Sequence, residues 1–173
     1  MKAMILAAGF GKRLRPLTET TAKPMLPVGG KPLLQHHIEG LAAAGITELV
    51  INTSWLAEQI EDYFGDGSDY GVSIRWSREQ QPLETGGGIA NALPLLGDQP
   101  FLLINGDIWT DFPLHSAAKK HLSGHLDGWL LLVENPEHNP QGDFGLLNGQ
   151  LLSQASEKYT FSGISLLRPE LFS

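Results

Sequence analysis

A chain of 173 residues, 42% of them hydrophobic, can bury one sizeable core but is short for two ordinary domains, so residues 1–173 are read as a single domain. Its net charge of −7 lacks the broad basic field that nucleic acid or an anionic membrane would need, and any anionic ligand must be met by a local cluster. There is no cysteine, which removes disulfides and thiolate metal sites and makes the cytoplasm the expected compartment.

The chain opens with an apolar run, 3–8, that stops at Gly9 and meets Lys12, Arg13 and Arg15. That run is too short for an export signal, and no stretch approaches the roughly 20 apolar residues of a membrane span. Residues 3–6 form the first expected strand. After Gly30, Pro32 occupies the first turn of a helix in which Leu34, Ile38 and Leu41 recur at helical spacing until Gly45. A strand at 49–52 follows, then a helix over 55–64 stopped by Gly65, and a strand at 72–76. Thr85 is read as the N-cap of a helix running to Leu93. After a strand at 101–104, Pro113 opens a helix that fades near Gly124, with Asp111 as its cap rather than a metal ligand; the next strand is 129–133. Strands alternating with helices predict a mostly parallel α/β sheet, Rossmann-like, with flanking helices. Beyond Glu134 the alternation degrades into a loop, 135–142, followed by β-rich stretches at 144–147, 151–152 and 160–167. These are read as a small β-rich lobe.

Ligands of an open α/β sheet bind beyond the C-terminal ends of its strands, which directs attention to the segment Ala8-Gly9-Phe10-Gly11-Lys12-Arg13-Leu14-Arg15-Pro16. Gly9 and Gly11 let backbone N–H groups approach phosphate oxygens. Lys12, Arg13, Arg15 and Lys23 bring four of the twelve Lys and Arg residues into twelve consecutive positions of an acidic chain. Two familiar phosphate loops are excluded by spacing. The dinucleotide fingerprint requires a glycine where Leu14 stands, and a Walker A loop requires glycine at Leu6 and Ser or Thr at Arg13. His121 and His125 are one helical turn apart, but Gly124 lies between them and no third ligand is placed, so they read as surface histidines.

The run from Leu6 to Thr18, followed by Lys23-Pro24-Met25-Leu26-Pro27-Val28, resembles the signature of the sugar-1-phosphate nucleotidyltransferase superfamily. The segments Pro82-Leu83-Glu84-Thr85-Gly86-Gly87-Gly88-Ile89, Asn105-Gly106-Asp107-Ile108-Trp109-Thr110-Asp111 and Phe161-Ser162-Gly163-Ile164-Ser165 extend the likeness over nearly the whole chain and make it most similar to the bacterial branch that uridylylates N-acetylmuramate α-1-phosphate in cell-wall recycling. The resemblance implies a GT-A-like fold with a sugar-binding lobe, and condensation of UTP with a sugar 1-phosphate to give a UDP-sugar and pyrophosphate. It implies catalytic roles for Arg13, Lys23 and Asp107, with Asp107 holding Mg²⁺. It places the nucleotide against Leu6, Ala8, Gly9, Gly11, Lys12, Arg13, Lys23, Glu79, Thr85 and Gly86, and the sugar against Asn105, Gly142, Glu157, Ser162 and Gly163. The Glu79 carboxylate could accept from N3–H of uracil or from N1–H and the amino group of guanine, so the base stays open on chemistry alone.

A second metal-binding aspartate and closing helices, usual in that superfamily, have no counterpart here. The expectation is a chain truncated at its C-terminus, with apolar surface uncovered around Phe161, Leu166 and Leu167. Three alternatives stand beside the uridylyltransferase: a mannose-1-phosphate guanylyltransferase or other nucleotide-sugar pyrophosphorylase, a non-catalytic nucleotide-sugar-binding subunit, and a plain dinucleotide-binding module.

Overall fold

A computed structural model describes residues 1–172. Four parallel strands form the body of the sheet: β1 (Lys2–Leu6), β4 (Glu48–Thr53), β5 (Ser73–Arg78) and β6 (Phe101–Asn105). Two short strands, β2 (Pro27–Val28) and β3 (Lys31–Pro32), pair separately beside them. The six-stranded order is β5-β4-β1-β6-β10-β7, with β7 at Gly128–Val133 and β10 at Thr160–Leu167. Strand β10 runs antiparallel to both neighbours.

Side-chain alternation along the strands divides the core into two layers. Ala3, Ile5, Leu49, Ile51, Leu102 and Ile104 pack under α2 (Leu33–Ala43), α3 (Ala57–Phe64) and α5 (Leu114–Ala118). Met4, Val50, Phe101 and Leu103 face the opposite way, against Ile89, Ala92 and Leu96 of α4 (Glu84–Leu96). Strands buried on both faces carry continuous apolar runs, which is why these elements were readable in one dimension. A short α1 (Leu17–Thr20) follows the phosphate loop.

Three expectations are corrected. The stretch 160–167 does not belong to a separate lobe: β10 inserts between β6 and β7, and Leu166 is 1% exposed. Pairing with both neighbours sets its side chains over the existing core, where Ile164 joins the layer of Ile5 and Ile104. What remains outside the main sheet is the hairpin β8 (Gly145–Leu147) and β9 (Gln150–Leu152), where Leu146, Leu147, Leu151 and Leu152 are exposed. Helix α5 is also shorter than expected. It ends at Ala118, and its N-cap is Pro113 with no side-chain capping bond, so Asp111 does not cap it. Third, α4 begins at Glu84 after Leu83, so Thr85 lies inside its first turn instead of capping it. Among the described residues no helix is long and apolar enough to cross a membrane.

Candidate active site

The C-terminal ends of β1, β4, β5 and β6 open on one edge of the sheet, the position where such folds bind ligands. The loop after β1 is held from beneath. Ala7 N–H donates to the side chain of Asn52 at 2.7 Å, and the Thr18 hydroxyl donates to the Gly11 carbonyl at 2.8 Å. Gly11 sits at φ 63°, and a Cβ there would come within 2.7 Å of the Thr18 methyl, so the turn has room for glycine alone. The residues this turn presents, Lys12, Arg13 and Arg15, reach toward solvent, with both arginines fully in the exposed range. None takes part in the three ion pairs among the described residues, which are Lys23–Asp107, Lys31–Glu39 and Arg78–Glu61. Lys12 lies over the Phe10 ring, 5.4 Å from its centre, and Phe10 in turn packs on Trp55 at 5.9 Å.

Lys23 and Asp107, 84 positions apart in sequence, meet at 2.5 Å. Their side chains keep 26% and 46% exposure, and a pair so wetted stabilises a fold by about 0–1 kcal/mol at most. Its importance is placement: an ammonium and a carboxylate are set side by side at the mouth of the β1 loop. The backbone around Asp107 is fixed on two sides. Gly106 N–H donates to the Leu6 carbonyl at 2.9 Å, where a Cβ would meet that oxygen at 2.5 Å. His37, on α2 and 3% exposed, lies with Nε2 at 2.9 Å from the Ile108 carbonyl. A carbonyl only accepts, so Nε2 carries the proton. Burial holds the His37 pKa below its ordinary 6.5, which favours the neutral ring.

The residues expected on the nucleobase side differ in exposure. Glu79, expected to read the base directly, is only 4% exposed, and both its oxygens are engaged internally. Oε1 accepts from Asn52 Nδ2 at 2.7 Å and Oε2 from Leu83 N–H at 2.9 Å. The carboxylate turns inward because it is the acceptor that satisfies two internal donors. Thr85 and Gly86 are exposed at the start of α4, as a ligand-facing role requires. Glu84 precedes them at φ 60°, a left-handed conformation that costs a residue with a side chain roughly 1–2 kcal/mol and that concentrates at functional sites.

On the sugar side, Gly142 and Glu157 line one open cavity of about 500 Å³ together with Asn135, Gln141, Ser156 and Lys158. Gly142, at φ 64°, packs against the backbone of Lys158, where a Cβ would sit 2.8 Å from its carbonyl oxygen. Asn105, Ser162 and Gly163 form a different group. The register of β10 against β7 slips between Phe161 and Ser165, and this irregularity sets Gly163 against Asn105, so closely that a Cβ on Gly163 would lie 3.1 Å from the Asn105 side chain. The five expected sugar-side residues thus fall into two clusters joined by β10. Four polar residues escaped sequence reasoning. Asn135, Asn139, Asp143 and Thr160 fasten the loop after β7 to the start of β10 through bonds of 2.8–3.2 Å. Lys158 was missed too, although it adjoins Glu157; Asn52 was legible only as a polar residue inside an apolar strand.

Among the described residues no group of three His, Cys, Asp or Glu side chains could hold a metal. His121 and His125 are exposed, as expected of surface histidines.

Residues 2–157 match the Nucleotidyl transferase family. The chain belongs to that family. It is 55% identical, over 99% of its length, to N-acetylmuramate alpha-1-phosphate uridylyltransferase of Neisseria meningitidis, 77% of which it spans. It is 42% identical over 76% of its length to mannose-1-phosphate guanylyltransferase of Mycobacterium tuberculosis, of which the match spans 36%. Its fold superposes with a TM-score of 0.85 and 26% identity on a Bacillus anthracis protein assigned as a glucose-1-phosphate thymidylyltransferase and solved with sucrose; the match covers 99% of this chain and 73% of that one. The resemblance drawn from the motifs therefore holds, and so does the mostly parallel sheet with flanking helices.

Proposed function

We propose that this nucleotidyltransferase works in the cytoplasm, condensing UTP with N-acetylmuramate α-1-phosphate and releasing pyrophosphate in the recycling of cell-wall sugars. The observation that carries the choice of substrates is the 55% identity to the uridylyltransferase along 99% of the chain, against 42% along 76% for the guanylyltransferase.

In this reading a phosphate oxygen of the sugar 1-phosphate attacks the α-phosphorus of UTP. The new P–O bond forms as the bond to the β-phosphate breaks, and pyrophosphate leaves with the electron pair. No general base is required, because a phosphate monoester with a second pKa near 6 is largely dianionic at pH 7. Catalysis then rests on position and on cations aimed at developing charge. The exposed Arg13, outside every ion pair among the described residues, is suited to the transferring phosphoryl group, and Lys12 and the loop amides to the remaining phosphates. Lys23, whose ion-pair partner is the half-exposed Asp107, would follow charge onto pyrophosphate.

Asp107 is the residue that would hold Mg²⁺. One carboxylate fits a cation that arrives with its triphosphate and keeps several waters, and the ion would supply charge neutralisation at the α-phosphate. Thr85 and Gly86 would meet the base, with Leu6, Ala8 and Gly9 along the nucleoside. Glu157 and Lys158 line a cavity suited to a sugar that carries hydroxyls and a 1-phosphate, with Gly142 giving close backbone approach, while Asn105 at the end of β6 and Ser162 and Gly163 on β10 would meet the substrate from the separate second cluster.

The deciding experiment is pyrophosphate release with UTP or GTP, each paired with N-acetylmuramate, mannose or glucose 1-phosphate, in Mg²⁺. Turnover greatest with UTP and the muramate ester is expected. Preference for GTP and mannose 1-phosphate would move the chain to the guanylyl branch, and nucleotide binding without turnover on any pair would make it a binding subunit.

A further inference from the structure

We propose that Asn52 is a positioning residue of the nucleotide site, joining the phosphate loop to the glycine-rich start of α4 through Glu79. This inference rests on the nucleotide-binding part of the function proposed above. Asn52 ends the apolar run of β4 and is 3% exposed. Its amide is bipolar and both ends are used: the oxygen takes Ala7 N–H, the first donor after β1, and the nitrogen gives to Glu79 Oε1. The other oxygen of Glu79 takes Leu83 N–H, at the entry to α4. Three hydrogen bonds therefore connect residue 7 to residue 83 through two buried side chains.

The connection is tight. A Cβ added at Gly88 would lie 2.8 Å from Asn52 Nδ2 and 2.8 Å from Glu79 Oε1, so α4 presses directly onto the junction and glycine is what lets it do so. No buried side-chain nitrogen or oxygen among the described residues lacks a partner. A network of this kind has one arrangement in which every donor meets an acceptor, and low local polarity makes any mismatch costly. A Leu at position 52 would fill the same space in the strand. The amide is needed because it presents an acceptor to one loop and a donor to the other, fixing their separation. Ala7 adjoins Ala8 and Gly9, and Leu83 adjoins Glu84 to Gly86, so the two backbone segments expected to enclose the nucleotide are set by one side chain.

Donor and acceptor order supplies the test. Asn52→Asp places two carboxylate oxygens face to face. Glu79→Gln satisfies either Asn52 or Leu83 N–H but turns an N–H toward the other. The double variant N52D/E79Q restores every bond: Ala7 N–H to one Asp oxygen, the Gln amide nitrogen to the other, and Leu83 N–H to the Gln oxygen. Shape is conserved throughout.

Calorimetric titration of each protein with UTP in Mg²⁺, alongside thermal unfolding, makes the comparison. Each single variant is expected to weaken UTP by about tenfold or more, and the double variant to recover to within about threefold of the parent chain, a coupling of the size seen for residues in one network. A role confined to stability would move the unfolding midpoint and leave the dissociation constant of the folded protein unchanged, which would overturn the proposal. So would single losses that merely multiply in the double variant. Should neither single variant fold, a folded double variant with near-parental affinity sustains the inference, and a double variant that fails to fold refutes the geometry. If the parent chain prefers GTP, the same cycle is run with GTP; the base assignment then fails while the positioning role is still judged by recovery.

Discussion

In the loop after β1 the backbone is anchored from the protein interior while the charged side chains stand in solvent; in the loop after β7 the side chains themselves are the anchors. Ala7 is tied to Asn52, and Gly11 is locked over Thr18, so Lys12, Arg13 and Arg15 need hold nothing in place. In the segment 135–143, by contrast, Asn135, Asn139 and Asp143 are spent on Lys158, Thr160 and Phe161. The first arrangement leaves both guanidinium groups outside the ion pairs among the described residues, as the proposed phosphate role would require. The second uses polar residues to shape a cavity at the margin of the sheet, where no apolar layer is available to do so. Exposed charge and architectural polarity are thus assigned to different loops.

The comparison breaks most sharply at Arg13. Arg13→Ala removes an exposed side chain that joins none of the ion pairs among the described residues, so stability is expected to stay within about 0.5 kcal/mol, as for ordinary surface substitutions. Turnover should fall by about 100-fold or more if the guanidinium stabilises the transferring phosphoryl group. Steady-state kinetics at saturating UTP and sugar 1-phosphate, with a urea titration beside them, separate the two effects. A large loss of stability would mean that the side chain is structural after all. A rise in the Michaelis constant for UTP alone would assign it to ground-state binding.

The other loop should respond in the opposite sense. Asp143 accepts from Asn139 and from Phe161 N–H, and Asp143→Ala leaves both donors without that acceptor. The expected result is a rise of about tenfold in the Michaelis constant for the sugar 1-phosphate, from a loosened cavity, with that for UTP nearly unchanged. Equal effects on both substrates would show that the two loops are not independent.

How much of this was legible follows from the same division. The β1 loop announced itself because glycines and cations are unusual neighbours in an acidic chain, and the apolar runs of β1, β4 and β6 are those of strands buried on both faces. Lys23 stood out in the cation cluster, its catalytic role and that of Asp107 were read from motif resemblance, and their 2.5 Å contact is a product of the fold. Glu79 was read as a base contact, and its bonds to Asn52 and Leu83 were not legible, because a carboxylate in a loop does not show in sequence which internal donors it accepts from. The loop 135–143 carried no periodic signal, since Asn, Asp and Thr serve as turn formers and as network members equally well. Strand β10 was correctly bounded yet wrongly placed, because its sequence shows that it is a strand without showing which strands flank it.

His37 yields the smallest expected effect and sharpens the comparison from beneath the Asp107 turn. Its ring is buried and donates to the Ile108 carbonyl, and burial depresses its pKa below 6.5. His36 nearby lowers it further, while the Ile108 bond and Asp107 oppose the shift. In the unfolded chain His37 titrates near 6.5, so below that pH the unfolded state binds a proton that the folded state resists. Stability contributed by the neutral ring is therefore fully present above about pH 6.5 and is lost as the pH falls through the depressed folded value. His37→Gln keeps an amide donor for Ile108 and removes the titration. The parent chain and the variant are expected to differ little at about pH 7.5, with the parent losing more stability than the variant between about pH 6.5 and 5. Urea unfolding across that range reads the slope, and because the other five histidines are common to both proteins, the difference belongs to position 37. Amide exchange locates it: residues 107–112 should loosen in acid before residues 135–143, whose staples contain no histidine ring. Parallel loss of stability in the two proteins would show that the ring is not held neutral, and earlier loosening of the 135–143 loop would show that its staples, not His37, set the acid response.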